Sequence, residues 1–157
     1  MKRIILYIGI LAALLAAPAK PSDVGKLLPV QVVSIYKEGD WTVIKTDTEN
    51  IGMGGTPEQA LENLKASASG IIYLDTAEYL LLSKDSLDAV EALRDKLKPS
   101  VRLCFAAKQI DLKNAGKYLS VHGQLPKLDA WKTDTELPVL GTFGDSLIFL
   151  KKVENNA

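Results

Sequence analysis

Residues 49–83 read ENIGMGGTPEQALENLKASASGIIYLDTAEYLLLS and decide the fold of the chain. Gly52, Gly54 and Gly55 precede a helix start, and three glycines within four residues predict a tight turn or a close approach of two backbones. The spacing departs from the dinucleotide-binding fingerprint, because a proline stands where that fingerprint has its third glycine. We therefore interpret the three glycines and Thr56 as a structural turn and helix cap.

The helix after the glycines has clear start and stop signals. Thr56 is placed as the N-cap and Pro57 as the first helical residue, where a missing N–H costs nothing. Gln59, three residues after Thr56, completes a capping box, and Gly70 ends the helix. The apolar stripe predicted to face the core consists of Ala60, Leu61, Leu64 and Ala68.

Two continuous apolar runs, 71–74 and 79–82, follow this helix and are typical of strands buried on both faces. Strands are also expected at 30–36, 41–46, 101–107, 137–140 and 146–153, and further helices after Ser83 or Asp85 and after Asp111. Strands that alternate with helices predict parallel neighbours joined by crossovers. The sequence thus predicts an α/β (α+β) fold with a mixed sheet, opened by an antiparallel hairpin, and about three helices packed on it.

The amino end has the pattern of an export signal. Lys2 and Arg3 precede an apolar run over 4–17, and an A-x-A cleavage pattern follows at 17–19. We expect residues 1–19 to be a signal peptide or an uncleaved anchor, 20–29 a tether, and 30–153 a single globular α/β domain. The protein is then extracytoplasmic, either secreted or anchored to the outer face of the cytoplasmic membrane.

Composition excludes some function classes. The chain has 19 Lys and Arg against 19 Asp and Glu, which disfavours a nucleic-acid partner because such binders carry a basic excess. Its single cysteine, Cys104, has no intramolecular disulfide partner and is expected to be a small buried apolar residue. Stability must therefore come from an apolar core, and no motif in the sequence calls for a cofactor.

Few residues are candidates for chemistry. His122 is the only histidine, and with Cys104 it does not supply the three or four ligands of a zinc site. Asp75 and Glu78 lie between the two apolar runs, where paired carboxylates can do acid–base work but more often cap a turn. We predict no catalytic residue and no metal site. The alternative is a small secreted hydrolase that uses these carboxylates or His122.

The central pattern resembles the amino-terminal domain of the Ger(x)C (GerAC-type) proteins, the C subunits of spore germinant receptors. The residues that carry the resemblance lie within 30–119: Gly52, Gly54, Thr56, Gln59, Ala60, Leu61, Leu64, the runs 71–74 and 80–82, Arg94, the strand 101–107, Ala115 and Leu119. The chain departs from the family in length, in lacking a lipobox cysteine, and in having residues 75–78 where the family has a histidine. The resemblance implies an extracytoplasmic protein of a spore-forming bacterium that acts through protein contacts at a membrane.

Together these observations predict an exported, membrane-proximal, non-enzymatic binding or accessory protein with a role in sporulation or spore germination. Its partner is expected to be a protein at a membrane, and the sequence names no small-molecule ligand. Leu125, Leu128 and Trp131 are proposed as an exposed apolar contact patch in a late loop. A purely structural envelope protein is a further alternative.

Overall fold

The apolar runs of the sequence form nine strands and three α-helices in the residues that the computed structural model describes, which are 24–106, 110–122, 124–132 and 136–150. The strands are β1 Leu27–Pro29, β2 Val32–Glu38, β3 Trp41–Thr46, β4 Ile51–Gly54, β5 Ile71–Tyr73, β6 Tyr79–Leu82, β7 Arg102–Ala106, β8 Val139–Phe143 and β9 Ser146–Leu150. The helices are α1 Pro57–Ser67, α2 Leu87–Leu93 and α3 Leu112–His122, and the short 3-10 turns are Val24–Lys26, Leu74–Thr76, Lys84–Ser86 and Arg94–Lys96.

The predicted mixed sheet is confirmed. Seven strands lie in the order β4-β3-β2-β6-β7-β8-β9, with β2, β6, β7 and β8 parallel and an antiparallel hairpin at each end. The strands β2 and β3 form the opening hairpin that the sequence predicts, closed by the turn at Gly39. All four residues of β6 are buried, as expected of a central strand in a parallel sheet.

The other apolar run behaves differently. β5 does not join the large sheet but pairs in parallel with β1 in a separate two-stranded sheet. Ile71 and Tyr73 are 56% and 40% exposed, so the expectation that residues 71–74 are buried on both faces is wrong. The same pairing corrects the tether expected over 20–29, because its Leu27–Pro29 part is a strand. Residues 1–23, and with them the expected signal, lie outside the described residues.

The glycine segment is also corrected. Gly52 and Gly54 belong to strand β4, and neither has the positive φ of a left-handed turn. Their role is close approach: a Cβ on Gly52 would lie 2.1 Å from the carbonyl oxygen of Ala60 and 2.4 Å from the amide nitrogen of Leu64. Helix α1 therefore rests directly on the backbone of β4. The structure therefore has the close approach of two backbones and not the tight turn.

The N-cap and the first helical residue of α1 are as predicted. Thr56 is the N-cap, its hydroxyl oxygen accepts the amide hydrogen of Gln59 at 3.3 Å, and Pro57 is the first helical residue. Ala60, Leu61 and Leu64 are the buried residues of the helix. The helix ends at Ser67, three residues before Gly70, so the predicted stop signal lies just beyond the helix.

Helices cover both faces of the sheet, although unequally. The helices α1 and α2 share one apolar core with β2, β3 and β6, and in α2 Ala89, Val90 and Leu93 are buried. Ser86, fully buried before α2, donates its hydroxyl hydrogen bond to the Ile35 carbonyl at 2.9 Å. Helix α3 packs on the opposite face over β2 and β6 to β8, and Asp111 accepts a hydrogen bond from the Lys113 amide at its start.

Candidate functional site

The apolar patch predicted in the late loop is not a surface. Leu128 and Trp131 are 1% and 3% exposed and belong to the core under α1 and α2, while Leu125 is half-buried against the core on the other face. The reason is backbone pairing: the Leu128 amide donates to the Val101 carbonyl at 2.7 Å, which holds this loop against β7. The guanidinium of Arg94 lies 5.9 Å from the Trp131 ring. The proposed contact residues Leu125, Leu128 and Trp131 are therefore wrong.

The candidate catalytic residues do not share a site in the described chain. His122 lies exposed at the end of α3, with its ring 4.5 Å from that of Tyr118. Asp75 lies in the turn after β5 and Glu78 precedes β6, and both are exposed. Among the described residues, no group of three or more His, Cys, Asp or Glu side chains could hold a metal ion. Cys104 is buried as predicted, and its burial raises the thiol pKa to about 12.

A groove lies between α3 and the β8–β9 hairpin, with a volume of about 460 Å³. One stripe of the helix forms its wall, and the start of β9 with the preceding Asp145 forms the other side. Its lining residues are Asn114, Lys117, Tyr118, Val121, His122, Asp145, Ser146 and Leu147. Neither Asp75 nor Glu78 lines it, so the groove brings His122 near polar groups but not near the two carboxylates predicted with it.

A second surface lies on the sheet itself and carries three exposed apolar side chains. Trp41, Ile51 and Met53 are 54%, 46% and 43% exposed. The register places Val43 opposite Met53 and Lys45 opposite Ile51, and residues that face each other across an antiparallel pair lie on the same side. We call this surface the open sheet face and define it by the side chains that reach solvent, which are Tyr36, Glu38, Trp41, Lys45, Ile51 and Met53; Val43 lies on the same side but is buried.

The open sheet face exists because α1 and α3 leave it uncovered. Alternation along β3 and β4 sends Ile44 and the two glycines toward α1, so the larger side chains point away from that helix. On the other side, α3 lies over β2 near Val32 and runs toward β8 and β9, away from the hairpin of β2 and β3. Among the described residues, no helix packs on Trp41, Ile51 or Met53.

The outer edge of β4, by contrast, is closed. The side-chain amide of Asn63 donates to the Met53 carbonyl at 2.7 Å, and the Ser67 hydroxyl donates to the Ile51 carbonyl at 3.1 Å. Both donors come from α1, which therefore occupies acceptors that an added strand would use. The accessible feature at this end of the sheet is the face and not the edge.

Glu38 and Lys45 are the charged residues of the open sheet face. Lys45 has no ion-pair partner among the described residues, and Glu38 lies beside the half-buried Tyr36. Burial raises the pKa of the Tyr36 hydroxyl, and the nearby charge of Glu38 raises it further. Glu38 and Lys45 lie at opposite ends of the face, because Glu38 pairs with Trp41 and Lys45 lies four residues further along β3.

The pattern that marks this surface is present in the sequence. The segment WTVIKT at 41–46 was correctly assigned to a strand, and its alternation separates Trp41 and Lys45 from Ile44. The sequence predicts a turn at the glycine segment, and a turn assigns Ile51 and Met53 to no face of the sheet. Two exposed apolar residues alternating with two glycines are the signal that would have identified it.

Comparison of the chain with protein-family models, with curated proteins and with solved structures finds no match in any of the three. The resemblance to the Ger(x)C proteins therefore stays a prediction from the sequence. Within the part of the chain that the structure describes, no helix combines the length and apolar character needed to cross a bilayer.

Proposed function

We propose that this protein is an exported, membrane-proximal, non-enzymatic accessory protein that binds a protein partner through its open sheet face. The observation that carries the proposal is the exposure of Trp41, Ile51 and Met53 on one face of the sheet. Contiguous exposed apolar residues mark interaction sites, and aromatic residues and Met are enriched at protein interfaces.

The face also indicates what a partner must present. Met53 gives the face an apolar centre, while Glu38 and Lys45 supply one charge of each sign at the two ends. A complementary partner carries an apolar centre with a cation opposite Glu38 and an anion opposite Lys45. Trp41 lies opposite Glu38 across the hairpin, and tryptophan is enriched among the hot-spot residues of protein interfaces.

The cellular setting rests on the sequence. The basic, apolar and small-residue order of residues 1–19 supports export, and the Ger(x)C-like pattern within 30–119 supports a role in sporulation or germination. Both remain part of the proposal. They predict that the partner is found at the outer side of a membrane.

The test is a crosslinking pull-down of the tagged full chain from its native host, in growth and in sporulation, with membranes, spores and medium fractionated separately. Trp41→Ser should reduce partner recovery at least about tenfold, as expected for loss of a hot-spot residue. The matched control is Phe143→Ser, which changes another aromatic residue that is 78% exposed but lies outside the open sheet face.

Both variants should keep the melting temperature of the native protein, because neither side chain belongs to a buried core cluster. Equal recovery with Trp41→Ser and with the native chain would refute the open sheet face as the contact surface. Recovery of the chain without any partner, in the medium alone, would refute the membrane-proximal setting.

A further inference from the structure

We propose that another apolar surface, on the small sheet of β1 and β5, rests on the lipid bilayer that holds the amino end of the chain. We call this surface the small-sheet face and define it by Leu27, Pro29, Ile71 and Tyr73. The inference rests on the membrane-proximal setting of the proposed function. It concerns a different surface from the open sheet face and a different partner, which is lipid.

The pairing of the two strands places these four side chains on one side. β1 and β5 are parallel, with Leu27 beside Ile71 and Pro29 beside Tyr73, and paired residues of neighbouring strands point to the same side of a sheet. The residue between each of these on its strand points the other way and packs on the core shared with α1 and α2. Ile71 and Tyr73 are 56% and 40% exposed, and Pro29 is exposed beside them, so the face reaches solvent.

The sequence before β1 links this face to the predicted anchor. Only residues 18–23 separate the apolar run over 4–17 from Val24, where the described structure begins. Six residues span at most about 20 Å. The single 3-10 turn Val24–Lys26 then leads directly into β1, and the first residue of that strand, Leu27, already belongs to the small-sheet face. A bilayer that holds the apolar run therefore keeps the face close to its surface.

The composition of the face suits the headgroup boundary of a bilayer. Tyr73 combines an apolar ring with a polar hydroxyl, and tyrosine is enriched at membrane interfaces for this reason. Leu27 and Ile71 supply further apolar contact. Lys26 and Asp75, which flank the face in the sequence, carry opposite charges. The contact therefore depends on apolar burial more than on lipid charge, and a zwitterionic bilayer is sufficient for it.

The contact leaves the end of the open sheet face that carries Trp41 accessible. β1 leads into β2 at Val32, and β2 ends at Glu38, which pairs with Trp41. Trp41 thus lies at the end of the sheet away from the bilayer, where a partner protein can reach it. Phe143 lies at the same far end, because it is the last residue of β8, which runs parallel to β2 through β6 and β7.

The experiment follows a solvent-sensitive fluorophore on the full chain in phosphatidylcholine vesicles. Ile71→Cys carries the label on the small-sheet face, and Phe143→Cys is the matched control, because Phe143 is 78% exposed at the far end of the sheet. Cys104 is buried and its thiol pKa is raised to about 12, so a thiol reagent modifies the introduced cysteine alone.

Vesicles should shift the emission of the label at position 71 to shorter wavelength and leave the emission at position 143 unchanged. Tyr73→Asp, added to the Ile71→Cys chain, should remove the shift, because a carboxylate resists transfer to an apolar environment. A shift that persists in that variant overturns the inference. Circular dichroism of each labelled chain establishes that it is folded.

The other outcomes separate this inference from the proposed function. A chain that binds the vesicles without a shift at position 71, or with equal shifts at 71 and 143, overturns the bilayer contact alone. Emission at the shorter wavelength before vesicles are added means that the chain covers the face itself, which also overturns the contact. A full chain that stays in solution overturns the inference together with the membrane-proximal setting. The pull-down with Trp41→Ser tests the open sheet face independently of all these results.

Discussion

Gly52→Ala is expected to destabilise the protein strongly, although it adds only one methyl group. An ideal Cβ at this position would lie 2.1 Å from the Ala60 carbonyl oxygen, 2.4 Å from the Leu64 amide nitrogen and 2.6 Å from the Leu64 Cβ. Two of these three atoms belong to the backbone of α1, so no side-chain rotation relieves the overlap. The helix must move away from β4 and loosen the packing of Leu64 on the sheet.

The magnitude follows from this crowding. Overpacking a core costs about 1–3 kcal/mol, and the backbone contacts place Gly52→Ala at the upper end, about 3 kcal/mol. With a urea dependence of about 2 kcal/mol per molar, the unfolding midpoint should fall by about 1.5 M. Gly55→Ala is the matched control, because its Cβ would meet nothing closer than the Gln59 side-chain oxygen at 3.5 Å. All variants are compared at one protein concentration, since association would stabilise the folded chain.

A second pair of variants separates crowding from backbone conformation. If Gly54 were required for a positive φ, Gly54→Asn would be tolerated better than Gly54→Ala, because asparagine accepts that conformation. Its φ is not positive, and a Cβ there would lie 2.5 Å from the Ala60 amide nitrogen. We therefore expect Gly54→Asn to be the more destabilising of the two. The reverse order, or a cost below about 0.5 kcal/mol for Gly52→Ala, would refute the close packing of α1 on β4.

Three further predictions concern the core. Leu64→Ala should lower the free energy of unfolding by about 2–5 kcal/mol in chemical denaturation, because the side chain is fully buried; a surface-like cost would contradict its packing. Trp131→Ala should cost about 3–5 kcal/mol and lower the melting temperature, whereas Trp131→Phe should cost less, because phenylalanine keeps an aromatic ring in the core; both changes remove an indole N–H that has no partner among the described residues. Burial raises the thiol pKa of Cys104 from 9.0 to about 12, so the stabilisation of the folded state by the neutral thiol is complete below pH 9 and is lost as the pH rises toward 12. Urea titrations should therefore show a smaller alkaline loss of stability in Cys104→Ala than in the native chain. Equal losses in the two proteins would contradict the shift.

The regular elements were predictable because their signals are local. The cap at Thr56 and Pro57 and the alternation in 41–46 depend on neighbours within one turn or one strand, and the structure confirms them. The continuous run at 79–82 was also assigned correctly, since a strand with parallel neighbours and both faces covered must be apolar throughout.

The errors arise where the outcome depends on distant residues. The run at 71–74 has the apolar composition of a central strand. In the structure it pairs in parallel with Leu27–Pro29 and lies outside the large sheet. No residue near Leu27 signals that pairing, so the sequence alone predicts a tether there. Trp131 was placed on the surface for the same reason: its loop contains a proline and polar residues, and only the hydrogen bonds to the segment before β7 show that it is buried.

The open sheet face and the glycine segment have one physical origin. A helix that lies directly on a strand requires glycine on the side it touches, and in β4 this fixes residues 52 and 54. The alternate positions then point to the other face, and here they hold Ile51 and Met53 where a solvated strand would carry polar residues. Ile51 and Met53 are 46% and 43% exposed, and among the described residues no helix covers them. Their apolar character is explained if a partner covers the face, which is what the Trp41→Ser variant tests.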